Sequence, residues 1–321
     1  MNLLDVNEVS KLLANSKECI IGVSGGMDSM TMLHWLASNR AQLPCNIKAV
    51  HVDHGINESS NKWAEFVAAT CAELDIELTI VKISLAGLGN NLEYAARKAR
   101  YQAFCESGAD TVLLAHHAND QCESFLLKLF RGSGLRGLKS MLPVVACWYD
   151  PNITIVRPML NVSRVQIDEW AVDNNITCIT DPSNHDNSYD RNYIRNNIWP
   201  TILDRFAIAD VNTLRSVKHI EEAWQLTNVL ADMDIATVTL TDGSLDWQKV
   251  RDLGYLRIKN MVMRMLGQEQ VYTFSIGQVE QFAQGLVTAD FDSRNQLVVK
   301  GLTMNKVGKK IVIAKQLKEA A

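Results

Sequence analysis

Four short apolar runs lie in the first 115 residues of the chain, each followed or preceded by a helical pattern. They are residues 19–23 (CIIGV), 47–52 (IKAVHV), 77–83 (ELTIVKI) and 111–115 (TVLLA). Runs that are apolar almost throughout, rather than at alternate positions, suit strands covered on both faces. Helical patterns fill the intervals at about 29–37, 59–74 and 92–107. Strand–helix alternation at this spacing predicts βαβ units and a doubly wound, mainly parallel, Rossmann-like α/β sheet. Ligands of such sheets bind beyond the carboxyl ends of the strands. The polar clusters considered below fall at those ends.

Residues 153–157 read as one more strand, followed by Pro158. A helix is predicted over 163–175, with Ser163 and Gln166 at capping-box spacing. Residues 181–187 read as a loop, and 191–205 as a helix punctuated by Pro200. Near residue 210 the pattern changes. Long helical periodicity runs over 211–233, then over 247–266 and 275–285, with strands expected at 296–300 and 310–314. The expectation is a catalytic domain over 1–208 and a smaller, mainly helical domain over 209–321 with a small β end. At 321 residues and 47% hydrophobic content the chain has enough apolar surface for two cores.

The run CIIGV leads into Ser24-Gly25-Gly26-Met27-Asp28-Ser29, which opens a helix. Two glycines permit positive φ and close approach of backbone to an anion. Amides of the turn and of the helix start then face phosphates, and Ser24 and Ser29 add hydroxyls. Asp28 is unsuited to touching a phosphate but suited to holding a Mg2+ that does. The lysine of a GxxxxGK[ST] loop, which grips β and γ phosphates, is missing. An ordinary glycine-containing turn is the plain alternative, but it does not require the whole six-residue string directly after an apolar strand.

Four further clusters follow. Residues 49–55 (AVHVDHG) end the second run, with His54 equally well read as part of a solvated turn. Residues 90–104 contain Glu93, Arg97, Arg100, Tyr101 and Phe104; Glu93 lies at capping distance from Asn90, and the arginines are also consistent with a solvated face. His116-His117-Ala118-Asn119-Asp120-Gln121-Cys122-Glu123 follows TVLLA. Asp120 and Glu123 are one helical turn apart, so both can serve one site, as ligands of Mg2+ or as acceptors of an ammonium; capping is the plain alternative. Finally, Arg191 and Arg195 share a helix face, suited to phosphates or to a carboxylate.

SGGMDS resembles the PP-loop of the N-type ATP pyrophosphatases. HHxxDQxE at 116–123, an A-R-x-x-R-Y-x-x-F element at 96–104, RGSGxxGL at 131–138, DxSN at 181–184 and xRNxIR at 190–195 are similar to signatures of the tRNA(Ile)-lysidine synthetase family. The resemblance covers most of the chain. It implies an adenine nucleotide alpha hydrolase-like fold. It implies ATP and Mg2+, with Ser24 to Ser29, Val50, His51 and His54 around the nucleotide and Asp28 and Asp120 at the metal. It implies catalytic roles for Asp28, Asp120, Glu123 and Arg97, and substrate contacts for His116, Arg131, Arg191 and Arg195. The implied partners are L-lysine and a tRNA(Ile) with a CAU anticodon, and the implied assembly is a homodimer. The reaction implied is adenylation of the C2 oxygen of cytidine 34 with release of pyrophosphate, then attack of the lysine ε-amine on C2 with release of AMP.

A PP-loop tRNA thiolase is the nearest alternative, since it shares the loop. Thiolases need reactive cysteines or an iron–sulfur site, and the 7 cysteines here include no Cys-x-x-Cys pair. The odd count and their spacing also argue against a disulfide framework or a zinc ribbon. The first residues carry Asp5 and Glu8 in an amphipathic pattern rather than a leader pattern, and no run approaches the ~18 apolar residues of a membrane span. A cytoplasmic enzyme is therefore expected. The net charge of −4 gives no bulk attraction for RNA. Local patches must supply it, and the lysines at 300, 306, 309, 310, 315 and 318 form one candidate.

Overall fold

The computed structural model describes residues 2–53, 55, 60–83, 92–269, 271, 274–290 and 292–315. The chain forms two compact units, Met1–Lys218 and His219–Ala321.

In the first unit, α1 (Val6–Leu12) is capped by Asp5 and precedes β1 (Glu18–Gly22), α2 (Met27–Asn39), β2 (Asn46–Asp53), α3 (Ser60–Glu73), β3 (Leu78–Lys82), α4 (Leu92–Cys105), β4 (Thr111–Leu113) and α5 (Ala118–Phe130). Next come α6 (Leu135–Leu138), β5 (Val144–Ala146), β6 (Thr154–Val156) and α7 (Arg164–Asp173). The sheet order is β3-β2-β1-β4-β6-β5, parallel except for β5. The α/β class expected from the apolar runs is therefore the class observed. The order reverses beside β1, between β1 and β4, which is where such sheets open a ligand crevice.

The reason β1 is apolar throughout is visible in its neighbours. Cys19 and Ile21 pack with Leu33 and Leu36 of α2 and Ile167 of α7, whereas Ile20 packs on the opposite face with Val112, Tyr101 and Phe104. All of these are buried. One expected buried strand differs: among the described residues β3 is the edge strand, and its Ile80 is exposed. Strand β5 has a Val-Val-Ala pattern too short to show periodicity, and it was not expected.

The segment predicted as one helix over 191–205 is three pieces: α8 (Asp190–Tyr193), a π turn (Ile194–Ile198) and α9 (Trp199–Arg205). Pro200 lies in the first turn of α9, where its missing N–H costs nothing. Ser163 and Gln166 form the expected reciprocal cap of α7. The long helix α10 (Ala209–Val238) follows.

The second unit contains β7 (Leu245–Asp246), α11 (Trp247–Leu253), α12 (Tyr255–Gln268), α13 (Ile276–Thr288), β8 (Gln296–Val299), β9 (Leu302–Val307) and β10 (Lys310–Lys315). The helix expected over 247–266 is broken at Gly254, whose φ of 77° is costly for any residue with a Cβ. The strands form an antiparallel sheet in the order β7-β10-β9-β8, and Trp247, Phe282 and Leu297 join its core. Of the six lysines expected to form a basic patch, three meet partners within the chain, and Lys318 lies outside the described residues. Lys306 is buried and donates to the carbonyls of Asp290 and Ser293, while Lys310 and Lys315 pair with Asp242 and Glu269.

Among the described residues, no helix is long and apolar enough to cross a membrane.

Candidate active site

A cavity of about 600 Å³ opens at the carboxyl ends of β1, β2 and β4. Its lining includes Ser24, Gly26, Asp28, Ser29, Val50, His51, Arg97, His116 and Asp120. The apolar strands place it there: β1 and β4 end side by side, and each delivers a polar turn to the same opening.

The turn after β1 is held by its own serines. Ser29 Oγ donates to the Gly26 carbonyl at 3.0 Å and accepts from the Ser24 amide at 3.2 Å. The Gly26 amide reaches Ser24 Oγ at 3.3 Å. Gly25 adopts φ 88°, and its carbonyl accepts from the Ile179 amide at 2.8 Å. Gly25 and Met27 thus shape the turn without lining the cavity. The first amides of α2 have no carbonyl partner within the helix and carry the positive end of its dipole, which suits them to an anion. His51 is buried, and its Nδ1–H donates to the Val23 carbonyl at 2.8 Å, tying the end of β2 to the turn. Asp53, also buried, lies in the same lining and accepts from the Gly55 amide. His54 lies outside the described residues, as do Asn90 and the Glu93 side chain.

The two histidines after β4 are set differently. Arg157 Nε donates to His116 Nδ1 at 3.2 Å, so the imidazole carries its hydrogen on Nε2. Burial pushes the His116 pKa down to about 3, with Arg157 and Arg191 adding to the effect against the pull of Asp120. His116 is therefore a neutral hydrogen-bond donor at physiological pH rather than a base or a cation. His117 caps α5: its Nδ1 accepts from the Asn119 amide, while its own amide donates to Asp120 Oδ2 at 3.0 Å. Its Nε2 lies 3.7 Å from Asp28 Oδ2 and 3.6 Å from Asp120 Oδ2. Burial would lower the His117 pKa, but the nearby carboxylates of Asp28 and Asp120 outweigh it and raise it. Burial likewise opposes ionisation of Asp120, and His117 and Arg191 overcome it, holding this carboxyl below its ordinary range.

Spacing alone places Asp120 and Glu123 together before one substrate or metal. The structure separates them. Helix α5 begins at Ala118, so Asp120 is in its first turn at the cavity, whereas Glu123 is one turn deeper and 2% exposed. Both Glu123 oxygens are taken by arginines: Arg191 Nε at 2.8 Å, Arg195 Nε at 2.6 Å and Arg195 Nη2 at 2.9 Å. The same two guanidiniums reach Asp120 Oδ1 at 2.8 and 3.2 Å. Where spacing suggests a metal or ammonium role for Glu123, the structure places it buried against Arg191 and Arg195 and off the cavity lining. The capping interaction exists too, but between His117 and Asp120. Arg191 and Arg195 remain more than one-third exposed, so their outer edges are available. Arg131 pairs with Asp190, next to Arg191, in an exposed bridge of little energetic worth. Arg97 is exposed, lines the cavity and lies over the Tyr101 ring.

Three participants have no role that the sequence alone assigns. Arg164, the first residue of α7, donates to Asp28 Oδ1 at 3.0 Å and to Asp168 at 2.9 Å. Arg157 fixes His116, and His117 joins the two acids. Arg157 sits beside Pro158 in a strand-like run, and only the topology brings it to His116. Among the described residues no group of three or more His, Cys, Asp or Glu side chains is placed to hold a metal; the residues suited to Mg2+ are the two cavity carboxylates, Asp28 and Asp120, with phosphate oxygens to complete its shell.

A model of the PP-loop domain family matches residues 2–202. A tRNA(Ile)-lysidine synthase of Actinobacillus pleuropneumoniae serotype 3 is 34% identical over 281 residues, covering 87% of this chain and 65% of that protein. One of Nitrosomonas europaea is 34% identical, over 87% of this chain and 61% of its own. One of Haemophilus influenzae is 32% identical, over 92% of this chain and 69% of its own. The chain thus spans about two-thirds of the length of these relatives. Among solved structures, the U34-tRNA thiolase NcsA of Methanococcus maripaludis, described with its [4Fe-4S] cluster, aligns with a TM-score of 0.53 at 16% identity, over 68% of this chain and 78% of its own. That likeness is one of fold.

Proposed function

The chain belongs to the PP-loop family and, within it, to the tRNA(Ile)-lysidine synthases; from that premise we propose that it joins L-lysine to cytidine 34 of a CAU-anticodon tRNA(Ile). The cytidine C2 oxygen attacks the ATP α-phosphate and pyrophosphate leaves. The lysine ε-amine then attacks C2, AMP leaves, and lysidine remains. Residues 1–208 carry the chemistry in this reading, and 209–321 contribute to holding the tRNA.

The observation that carries the proposal is the meeting of the serine-glycine turn, Asp28 and Asp120 in one cavity at the β1–β4 switch point, beside the arginine pair on Glu123. The turn's amides hold departing pyrophosphate. Bound Mg2+, held by Asp28 and Asp120, would neutralise phosphate charge. Arg164 and His117 keep Asp28 oriented, and Arg97 offers positive charge to the phosphates. His116 Nε2–H donates to a substrate oxygen, where a fixed donor stabilises developing negative charge without reorganising. Glu123 positions Arg191 and Arg195, whose outer edges receive the lysine carboxylate or an RNA phosphate. An anticodon loop already exposes its bases, so the cytidine reaches the cavity with little unstacking cost. The seven cysteines, all unpaired in disulfides, fit a reducing cytoplasm.

The two steps separate experimentally. With ATP and tRNA alone, pyrophosphate should form without free AMP; adding lysine should release AMP. Formation of ADP, or pyrophosphate release that ignores the tRNA, contradicts the proposal.

A further inference from the structure

A row of aromatic side chains runs from the cavity wall to solvent. Phe104 and Tyr101 line the cavity and are buried. Their ring centroids are 6.0 Å apart, edge to face. Trp148 lies 5.5 Å beyond Tyr101, and touches Tyr94 at 6.5 Å and Tyr149 at 6.0 Å. Tyr94 is 62% exposed, Trp148 42% and Tyr149 36%. Two elements supply the row: α4 gives Tyr94, Tyr101 and Phe104, and the stretch after β5 gives Trp148 and Tyr149.

Core packing does not account for the outer three. Cys147, just before Trp148, is 2% exposed, so the chain buries a residue there and then turns its two largest side chains outward. Contiguous exposed apolar surface of this kind marks a place of interaction. The surroundings identify the partner's charge. Arg97 stands 5.1 Å over the Tyr101 ring, and Arg97 and Arg100 both line the cavity. Burial, and then the nearby charges of Lys139, Arg157, Arg97 and Arg191, push the Lys128 pKa down to about 8. An apolar protein segment has no use for arginines in this position. A polyanion with flat apolar faces does.

We propose that Trp148, with Tyr94 and Tyr149, is a stacking platform for an unpaired nucleobase that neighbours the reacting cytidine in the RNA loop. The proposal rests on the RNA reading given above. Unstacked loop bases are held on aromatic faces, with arginine at the backbone. The platform is one ring away from Tyr101 on the cavity wall, so a base seated on it belongs to a nucleotide close to the one being modified.

The test measures binding of a synthetic anticodon stem-loop to wild type, Trp148→Ala and Trp148→Phe. Trp148 is half-exposed, so neither variant should unfold. Trp148→Ala should weaken binding about tenfold, the equivalent of one base–aromatic stack at 1.4 kcal/mol per decade. Trp148→Phe should stay within about threefold of wild type, and the KM for ATP should be unchanged. An abasic site beside the reacting cytidine should cost wild type about as much as the alanine substitution, and cost Trp148→Ala little more. Wild-type affinity in Trp148→Ala overturns the platform alone. Full additivity of the abasic site and the alanine substitution also overturns it, leaving the surface to a protein partner. A wild-type chain that binds no stem-loop overturns both the platform and the RNA reading.

Discussion

On the β1 side of the cavity, Ser24 to Ser29 offers amides, two hydroxyls and one carboxylate; its serines bond within the turn, and distant partners reach the Gly25 carbonyl and the Asp28 carboxylate. On the α5 side, Asp120 and Glu123 are met by Arg191 and Arg195 across about 70 residues of chain, and Glu123 is buried. The first region is an open receptor whose donors wait for an anion. The second is a pre-assembled ion cage whose charges are already balanced and which acts through its outer, arginine edge. Similar polar residues at one cavity thus do different work according to whether the protein itself satisfies them.

Substitutions should break this contrast in a graded way. Asp28→Asn touches the open side and should lower AMP formation by at least about 100-fold, close to 3 kcal/mol of transition-state stabilisation. Its unfolding free energy should hardly move, since Asp28 and Arg164 are each about one-third exposed or more. Normal turnover would remove Asp28 from the chemistry. Glu123→Gln acts on the closed side and should cost about 2–3 kcal/mol of stability in urea unfolding. That lies below the range for a fully buried pair because the arginines reach solvent. Its KM for lysine should rise more than its KM for ATP; equal rises would assign the cage to the nucleotide instead.

Gly25→Ala should cost less, about 1–2 kcal/mol. The residue sits at φ 88°, and an added Cβ would come within 3.0 Å of Ile179 Cδ1. The expected sign is a raised KM for ATP, and an unchanged KM would show that the turn tolerates movement.

The smallest effect sharpens the comparison between the adjacent histidines. Because the His117 pKa is raised in the fold, its contribution is fully present below the ordinary histidine value of about 6.5 and is lost as pH rises through the higher folded value. The stability deficit of His117→Gln should therefore be larger at pH 5.5 than at pH 8.5. His116, pushed down to about 3, works in the opposite sense: it destabilises the fold as pH falls below about 6.5. His116→Gln should gain on wild type toward pH 5.5. Parallel pH profiles for the two variants would refute the distinction drawn between them.

The open side was legible in the sequence because it is local. A strand, a turn and a helix start occupy eleven consecutive residues, and their chemistry follows from residue types. The doubly wound sheet was legible for the same reason, since apolar runs and helical periods are short-range signals. The closed side was not. The spacing of Asp120 and Glu123 is compatible with capping, metal binding or ammonium binding, and only the approach of the α8 and π-turn segment decides among them. Arg164 and Arg157 lie 136 and 41 residues from their partners, Asp28 and His116. The lysines near the chain's end read as an RNA patch, but their acidic and carbonyl partners come from loops that periodicity does not describe.

The central claim is that ATP cleavage in this cavity serves the joining of lysine to one cytidine. Labelled lysine incubated with the chain, ATP and tRNA(Ile) bearing CAU tests it directly, with nucleoside analysis of the recovered RNA. The account predicts label in a single modified cytidine at position 34, in proportion to AMP released. RNA that recovers no label while AMP and pyrophosphate accumulate would contradict it.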